Sequence, residues 1–546
     1  MSVVLDLADI QGNILAGYGK QGFPKGRYIL FHIDGESDAQ KAANGRSFLS
    51  EWWPRVTSAL RWEDKPHKRG EYVVPKPQVA VNIAFTFRGL LALGVSTRTL
   101  RGMPDPFIDG MAARARLLGD DFIGANWRDY WDEIWQADAR PAHILVTLNA
   151  RAEAMPALED VTKELETSAQ RCGVRVLEGH NQRGKPKARY QELSAIWKPD
   201  GSGPAPTEHF GLADGISDPV FDGQYPDETE QLEATGNGAV DGMGKWRPLA
   251  TGEFLLGYPD EAQEIAGAAV PIPFSRNGTF VSYRKLHENV RSWRDFVDTA
   301  AKDFGKVFKI PNHGDARELL IAKMIGRWSN GVPLSKAPTL DGWRIISARL
   351  KEMPRNERTK LLTDFTFLDG DADGRRCPLG SHIRRANTRD GLDPRAVQPK
   401  EYRGGSTLNN RRRILRRGLP YGHSGPDTRD EEDHGIVMLV MCADLFRQFE
   451  FVQQQWMNYG LDARSGSDTC PIVGNHSSGE DTRDPEARKR NGPKAKFVIS
   501  ADPDAGHPPF ILEGLPQFVE MRGGEYFFAP SLTALRMIAT GAVDPT

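Results

Sequence analysis

Cysteine is scarce: the chain has four in 546 residues, at Cys172, Cys377, Cys442 and Cys470, and no CxxC pair. That argues against a thiolate-held zinc or iron–sulfur site. A disulfide framework is not needed at this length, and reduced thiols are expected. No apolar run reaches the roughly eighteen residues of a membrane-spanning helix. The first residues, MSVVLDLADI, carry no basic region ahead of an apolar core and no twin arginine, so the expected location is cytoplasmic. Neither sign of charge dominates. Lys and Arg number 71 against 73 Asp and Glu, a net charge of −2. A nucleic-acid binder would show a basic excess.

What is present fits a large globular protein. Hydrophobic residues make up 39% and charged residues 26%, and the length allows two or more domains. Residues 26–34, GRYILFHID, have the aromatic and β-branched content of a strand. Residues 78–95 read as a strand entering a helix, with the apolar period changing from 2 to nearer 3.6. A short helix ending at Gly119 follows, then a strand over 141–150, a helix closed by Gly173 and a further strand.

The second half repeats the theme. GEFLLGYPDE reads as a strand leading to a turn. Residues 277–305, 435–458 and 525–539 each read as strand then helix. Long excursions cover 235–245, 312–341 and 463–496, the last rich in Gly, Ser, Asp and Arg and read as a surface loop. The pattern implies an α+β chain of two ferredoxin-like sandwich domains with antiparallel sheets, over 1–230 and 231–546.

Four stretches carry the chemistry. They are DIQGNIL (9–15), HFGLADGISDP (209–219), CPLGSHIRRANTRD (377–390) and RRRILRRGLPYG (411–422). A neutral imidazole is a good axial ligand to haem iron, and His382 sits after a Cys-Pro-Leu-Gly turn. In this order and at these separations the four stretches resemble the dye-decolorising peroxidases, in particular the longer, cytoplasmic members. The resemblance implies one haem b per chain, bound in the C-terminal half. It also implies hydrogen peroxide and a small organic electron donor as partners, and neither nucleic acid nor membrane.

The same resemblance assigns roles. His382 matches the axial ligand. Asp214, within the GxxDG of Gly211–Gly215, matches the distal acid that moves a proton between peroxide oxygens. Arg416 matches the distal arginine that stabilises developing charge, with Arg417 the alternative. Arg389 matches an arginine beside a haem propionate. Asp468 is the candidate acceptor for the second ring nitrogen of His382, although relatives often carry an acid where this chain has Cys470. The strand at 435–442 is aliphatic and Met-containing where relatives often carry phenylalanine. The plainer readings are a turn at Asp214-Gly215, solvated arginines, or a haem-handling protein with little turnover. A non-haem protein whose arginine run binds a polyanion is a further alternative.

Overall fold

In the computed structural model the first half runs strand, helix, strand, strand, helix, strand. The elements are β1 (Lys25–Ile33), the helix Asp38–Trp52, β2 (Val79–Phe85), β3 (Ile144–Ala150), the helix Met155–Arg171 and β4 (Val174–Val176). The strands lie in the order β4-β1-β3-β2, each pair antiparallel. A further strand, β5 (Gln191–Ser194), pairs with the other end of β1. A small hairpin follows, β6 (Ala239–Val240) with β7 (Trp246–Arg247). The structure describes residues 3–121, 124–241, 245–266, 268–392, 407–476, 495–502 and 506–543.

The second half repeats the plan. It comprises β8 (Thr279–Glu288), the helix Val290–Val307, β9 (Leu415–Tyr421), β10 (Gly435–Cys442), a helical run over 445–457 and, after the hairpin of β11 (Lys496–Ile499) and β12 (Phe510–Glu513), β13 (Val519–Ala529). Its order is β13-β8-β10-β9, the same fourth-first-third-second arrangement as in the first half. The halves meet edge to edge at β2 and β13, with Phe85 opposite Phe528, and so share one nine-stranded sheet. The expected α+β class and antiparallel sandwich plan hold.

The seam explains DIQGNIL. The Gln11 side chain is wholly buried; it donates to the carbonyls of Ile83 (2.8 Å) and Pro530 (2.9 Å) and accepts from the Ile83 N–H (3.0 Å). One amide therefore ties the N-terminus to both seam strands. Gly12 packs so closely that a Cβ there would lie 2.6 Å from the Ser58 carbonyl oxygen.

Two sequence expectations change. GEFLLG is no strand: it turns tightly over Thr251–Glu253, and a Cβ on Gly252 would meet the Tyr258 carbonyl oxygen at 2.2 Å. The excursion over 312–341 contains the helix His313–Ile325, capped by the Asn312 side chain. Most of its residues are buried, so it lacks the one-sided apolar stripe that marks a surface helix. RRRILRRGLPYG contains β9, an edge strand, where a proline is tolerated. Of the excursion at 463–496, residues 477–494 lie outside the described residues. All four cysteines are free and buried, and no helix among the described residues is long and apolar enough to cross a membrane.

Candidate active site

The arginines of SHIRRAN are structural. Arg384 is buried against Asp371 (3.1 Å) and the Cys377 carbonyl (2.9 Å). Arg385 donates to the carbonyls of Gly380 (3.0 Å) and Trp456 (3.0 Å). Ser381 donates its hydroxyl to the Lys323 carbonyl at 2.6 Å. These bonds fix the short helix His382–Ala386, whose first residue lines a cavity of 1720 Å³.

His382 Nδ1 lies 3.2 Å from Cys470 Sγ. Asp468, the expected partner of that ring, points elsewhere and lies 3.8 Å from Lys496 Nζ. The turn through Ser465–Asp468 closes on its own backbone, and the Cys470 N–H donates to the Met457 carbonyl, which brings the thiol and not the carboxylate to the imidazole. Burial pushes the Cys470 thiol up, but His382 and Arg385 outweigh it and hold the thiol below its ordinary range. The other ring nitrogen, Nε2, makes no hydrogen bond among the described residues.

Asp214 and Arg416 line the same cavity. Arg416 Nη1 lies 3.2 Å from Asp214 Oδ1, and their side chains are 42% and 46% exposed, although both lie deep in the molecule. The surface they expose is cavity wall. Burial raises the Asp214 carboxyl, but Arg416, the Gly215 N–H and Lys20 outweigh it, so the acid stays ionised well into the acid range.

Arg417 points the other way. It donates to the carbonyls of Asn13 (2.8 Å) and Ile14 (2.9 Å) and pairs with Asp218 (2.9 Å). It therefore joins DIQGNIL to the loop that carries Asp214. The alternation of β9 sends Arg416 to the cavity and Arg417 to the core.

In β10, Val440 stands opposite Arg416 and Met438 opposite Gly418. Gly418 has φ +140°, and a Cβ there would lie 2.0 Å from the Val437 carbonyl oxygen. Only glycine fits, which accounts for RRGLPYG. The strand that relatives often furnish with phenylalanine presents Ile436, Met438 and Val440 to the cavity.

Arg389 is buried and lines the cavity, donating to the carbonyls of Thr363 (2.7 Å) and Phe365 (2.6 Å). Two arginines that sequence reasoning missed accompany it. Arg327 donates to the carbonyls of Gly331 and Leu362, and Arg413 to those of Asn237 and Gly238. Ser217 Oγ accepts from both Arg327 (3.3 Å) and Arg389 (3.4 Å). None of the three is in an ion pair among the described residues. Burial pulls Arg327 down to about 10 and Arg389 well down, with Arg327 and Arg413 adding repulsion on Arg389.

Buried cations held only by carbonyls and a hydroxyl suit a ligand that brings its own carboxylates. With an imidazole nitrogen free on the same cavity, the donor set fits haem: His382 as ligand to iron, and Arg389 with Arg327 and Arg413 toward the propionates. Two more missed residues, Glu208 and Glu288, also line the cavity. Glu208 immediately precedes HFGLADG, which was the available signal; Glu288 ends an apolar strand and gave none.

The cavity, walled by these arginines and His382, lies within a doubled ferredoxin-like α+β fold. Residues 9–180 match the family model of the DyP dimeric alpha+beta barrel domain. The chain is 28% identical over 547 residues to the multifunctional dye peroxidase DyP2 of Amycolatopsis sp., covering 97% of this chain and 96% of that protein. It is 26% identical to peroxidase 2 of Mycetinis scorodonius, covering 98% of this chain and 88% of that one. An ancestral D-type dye-decolorizing peroxidase has the same fold, with a TM-score of 0.69 at 24% identity over 98% of this chain and 99% of that one. A dye-decolorizing peroxidase solved with 2,6-dimethoxyphenol has a TM-score of 0.68 at 23% identity over 98% and 100%. Over nearly its whole length the chain is thus similar to dye-decolorizing peroxidases, which supports a peroxidase oxidoreductase.

Proposed function

We propose that this protein is a haem b peroxidase, with one haem per chain, that reduces hydrogen peroxide and oxidises organic donors such as dyes and phenolics by one-electron steps. The observation that carries the reading is the Asp214–Arg416 pair at 3.2 Å on the cavity that His382 also lines. Haem, when bound, supplies the redox chemistry. The chain's residues do the rest. An ionised Asp214 accepts a proton from one peroxide oxygen and returns it to the other. Arg416 is a fixed cation facing the charge that develops as the oxygens part. Cys470 orients the His382 ring from behind. A phenolic donor is supported by the relatives' names and by the 2,6-dimethoxyphenol complex of a structural neighbour. The free, buried thiols suit a reducing compartment, and we place the protein in the cytosol.

The test is to titrate purified protein with haem, follow the Soret band, then add peroxide with a phenolic or dye donor. Peroxide-dependent donor oxidation by the loaded protein is the expected result. An intact Soret band with no turnover would favour haem handling. No Soret band at all would overturn the haem reading.

A further inference from the structure

The peroxidase mechanism has no use so far for two acids on the cavity wall. The Glu208 carboxylate accepts the N–H groups of Phe210 (2.7 Å) and Leu212 (2.7 Å), bracing the loop that ends in Asp214. Glu288, at the end of β8, accepts the His209 N–H at 3.1 Å. The two carboxyls hydrogen-bond to each other. Bracing a loop needs one acceptor, which a glutamine would provide. Two acids in contact repel unless a proton lies between them.

The Asp214 charge acts on both carboxyls and the Glu208 charge on Glu288, all negative. Other titratable groups packed around it are His209 on the loop, Tyr421 at the end of β9, His434 before β10, and Glu520 with Arg522 on β13. His434 is fully buried, has neither ring nitrogen hydrogen-bonded among the described residues, and packs between the rings of His209 (5.5 Å) and His287 (5.2 Å).

We propose that Glu208 and Glu288 form a proton-holding pair for the distal pocket, supplying the Asp214 side of the cavity with a proton as water forms. The proposal rests on the peroxidase reading. The balance requires protons to reach the oxygen. Hydrogen peroxide takes two electrons and two protons to become two waters. Two phenols give two phenoxyl radicals, two electrons and two protons. The phenolic protons leave where the donor binds, while the consumed protons must arrive at the oxygen. Asp214 moves a proton between oxygens but, held ionised by Arg416, stores none. Burial raises both carboxyls; Asp214 adds to the rise on Glu208, which reaches about 7, and the Glu208 charge adds to the rise on Glu288, which lies well above its ordinary range, so a proton is held at neutral pH.

The experiment uses the haem-loaded protein and its Glu288→Gln, Glu208→Gln and Glu288→Asp variants at matched Soret absorbance. Infrared titration from pH 5 to 9 reads the carbonyl stretch of a protonated carboxyl, and turnover of a phenolic donor at saturating peroxide gives the pH profile of kcat. The expected wild-type result is a protonated-carboxyl band at pH 7 that disappears together with an alkaline fall in kcat. Glu288→Gln weakens the band by the share of Glu288, removes the alkaline limb and lowers kcat about tenfold, with KM for peroxide unchanged; Glu288→Asp restores band and limb. A Glu288→Gln enzyme with wild-type kcat and pH profile overturns the proposal. If that variant does not fold, the wild-type band and alkaline limb decide: titration more than about one pH unit apart overturns it equally. Wild-type protein that loads haem but oxidises no donor, with the band intact, instead refutes the peroxidase reading.

Discussion

At the scale of single residues, adjacent arginines in β9 divide the labour. Arg416 faces the cavity and Asp214; Arg417 holds Asn13, Ile14 and Asp218. Replacing Arg416 with leucine removes a cation from a low-dielectric pocket, where such a group contributes on the order of 3 kcal/mol, or roughly a hundredfold in rate. We expect Arg416→Leu to slow the reaction with peroxide by about that factor and to leave the melting temperature nearly unchanged. Asp214→Asn should cost no more, because cavity water partly replaces a proton carrier. Arg417→Leu should do the reverse. It leaves two buried carbonyls without a donor and Asp218 with only the longer Lys20 contact at 3.8 Å, and should lose about 3 kcal/mol of stability. Stopped-flow kinetics beside urea denaturation of the three variants separates these outcomes; an Arg416→Leu enzyme reacting at the wild-type rate would exclude its role. His382→Ala should abolish stable haem binding, read as loss of the Soret band.

At the scale of elements, β9 is the strand on which the site depends, and its register rests on Gly418. A methyl group there would meet the Val437 carbonyl oxygen at 2.0 Å, at a φ of +140° that side chains rarely adopt. Gly418→Ala should therefore push β9 away from β10. A loss of about 2 kcal/mol in stability together with impaired peroxide reactivity is expected, since Arg416 moves with the strand. Urea midpoints and peroxide kinetics check it; a variant impaired in neither would show that the edge strand accommodates the change.

This strand also marks where the sequence was hard to read. β1, β3, β8 and β10 announce themselves by β-branched and aromatic residues, and the helices after them by their period. β9, with its arginines, proline and glycine, looks like a loop, because an edge strand need not donate every N–H and its buried face includes an arginine. The helix His313–Ile325 was lost for the opposite reason, being buried on most sides. At the site, the motif residues were legible because their four stretches resemble those of the dye-decolorising peroxidases. Arg327, Arg413 and Glu288 were not, since they reach the cavity from distant segments and only the folded chain brings them together. Asp468 failed as partner to His382 because two residues along a tight turn reverse which side chain meets the ring.

For the whole molecule, the cavity leaves its mark on how stability varies with pH. Asp214 is held below its ordinary range, so its contribution is present above about pH 4 and is lost as pH falls further. The Glu208–Glu288 pair acts in the opposite direction. With Glu208 raised from 4.5 to about 7, the folded chain keeps a proton that the unfolded chain has released. Where the native state binds more protons, stability falls as pH rises. The pair's contribution is thus complete below about pH 4.5 and is lost through pH 7, amounting to roughly 2 kcal/mol once water in the cavity is allowed for. Other groups titrate over the same range, Glu208 among them because burial and Asp214 still raise it in the variant, but Glu288→Gln removes the contribution of Glu288, whose carboxyl burial and the Glu208 charge raise. Urea denaturation of haem-loaded wild type and Glu288→Gln at pH 5, 6.5 and 8 should show the wild type losing about 2 kcal/mol more than the variant across the series. Parallel pH dependences in the two proteins would mean that the acids do not hold a proton between them, and the cavity would then have to draw its protons directly from solvent.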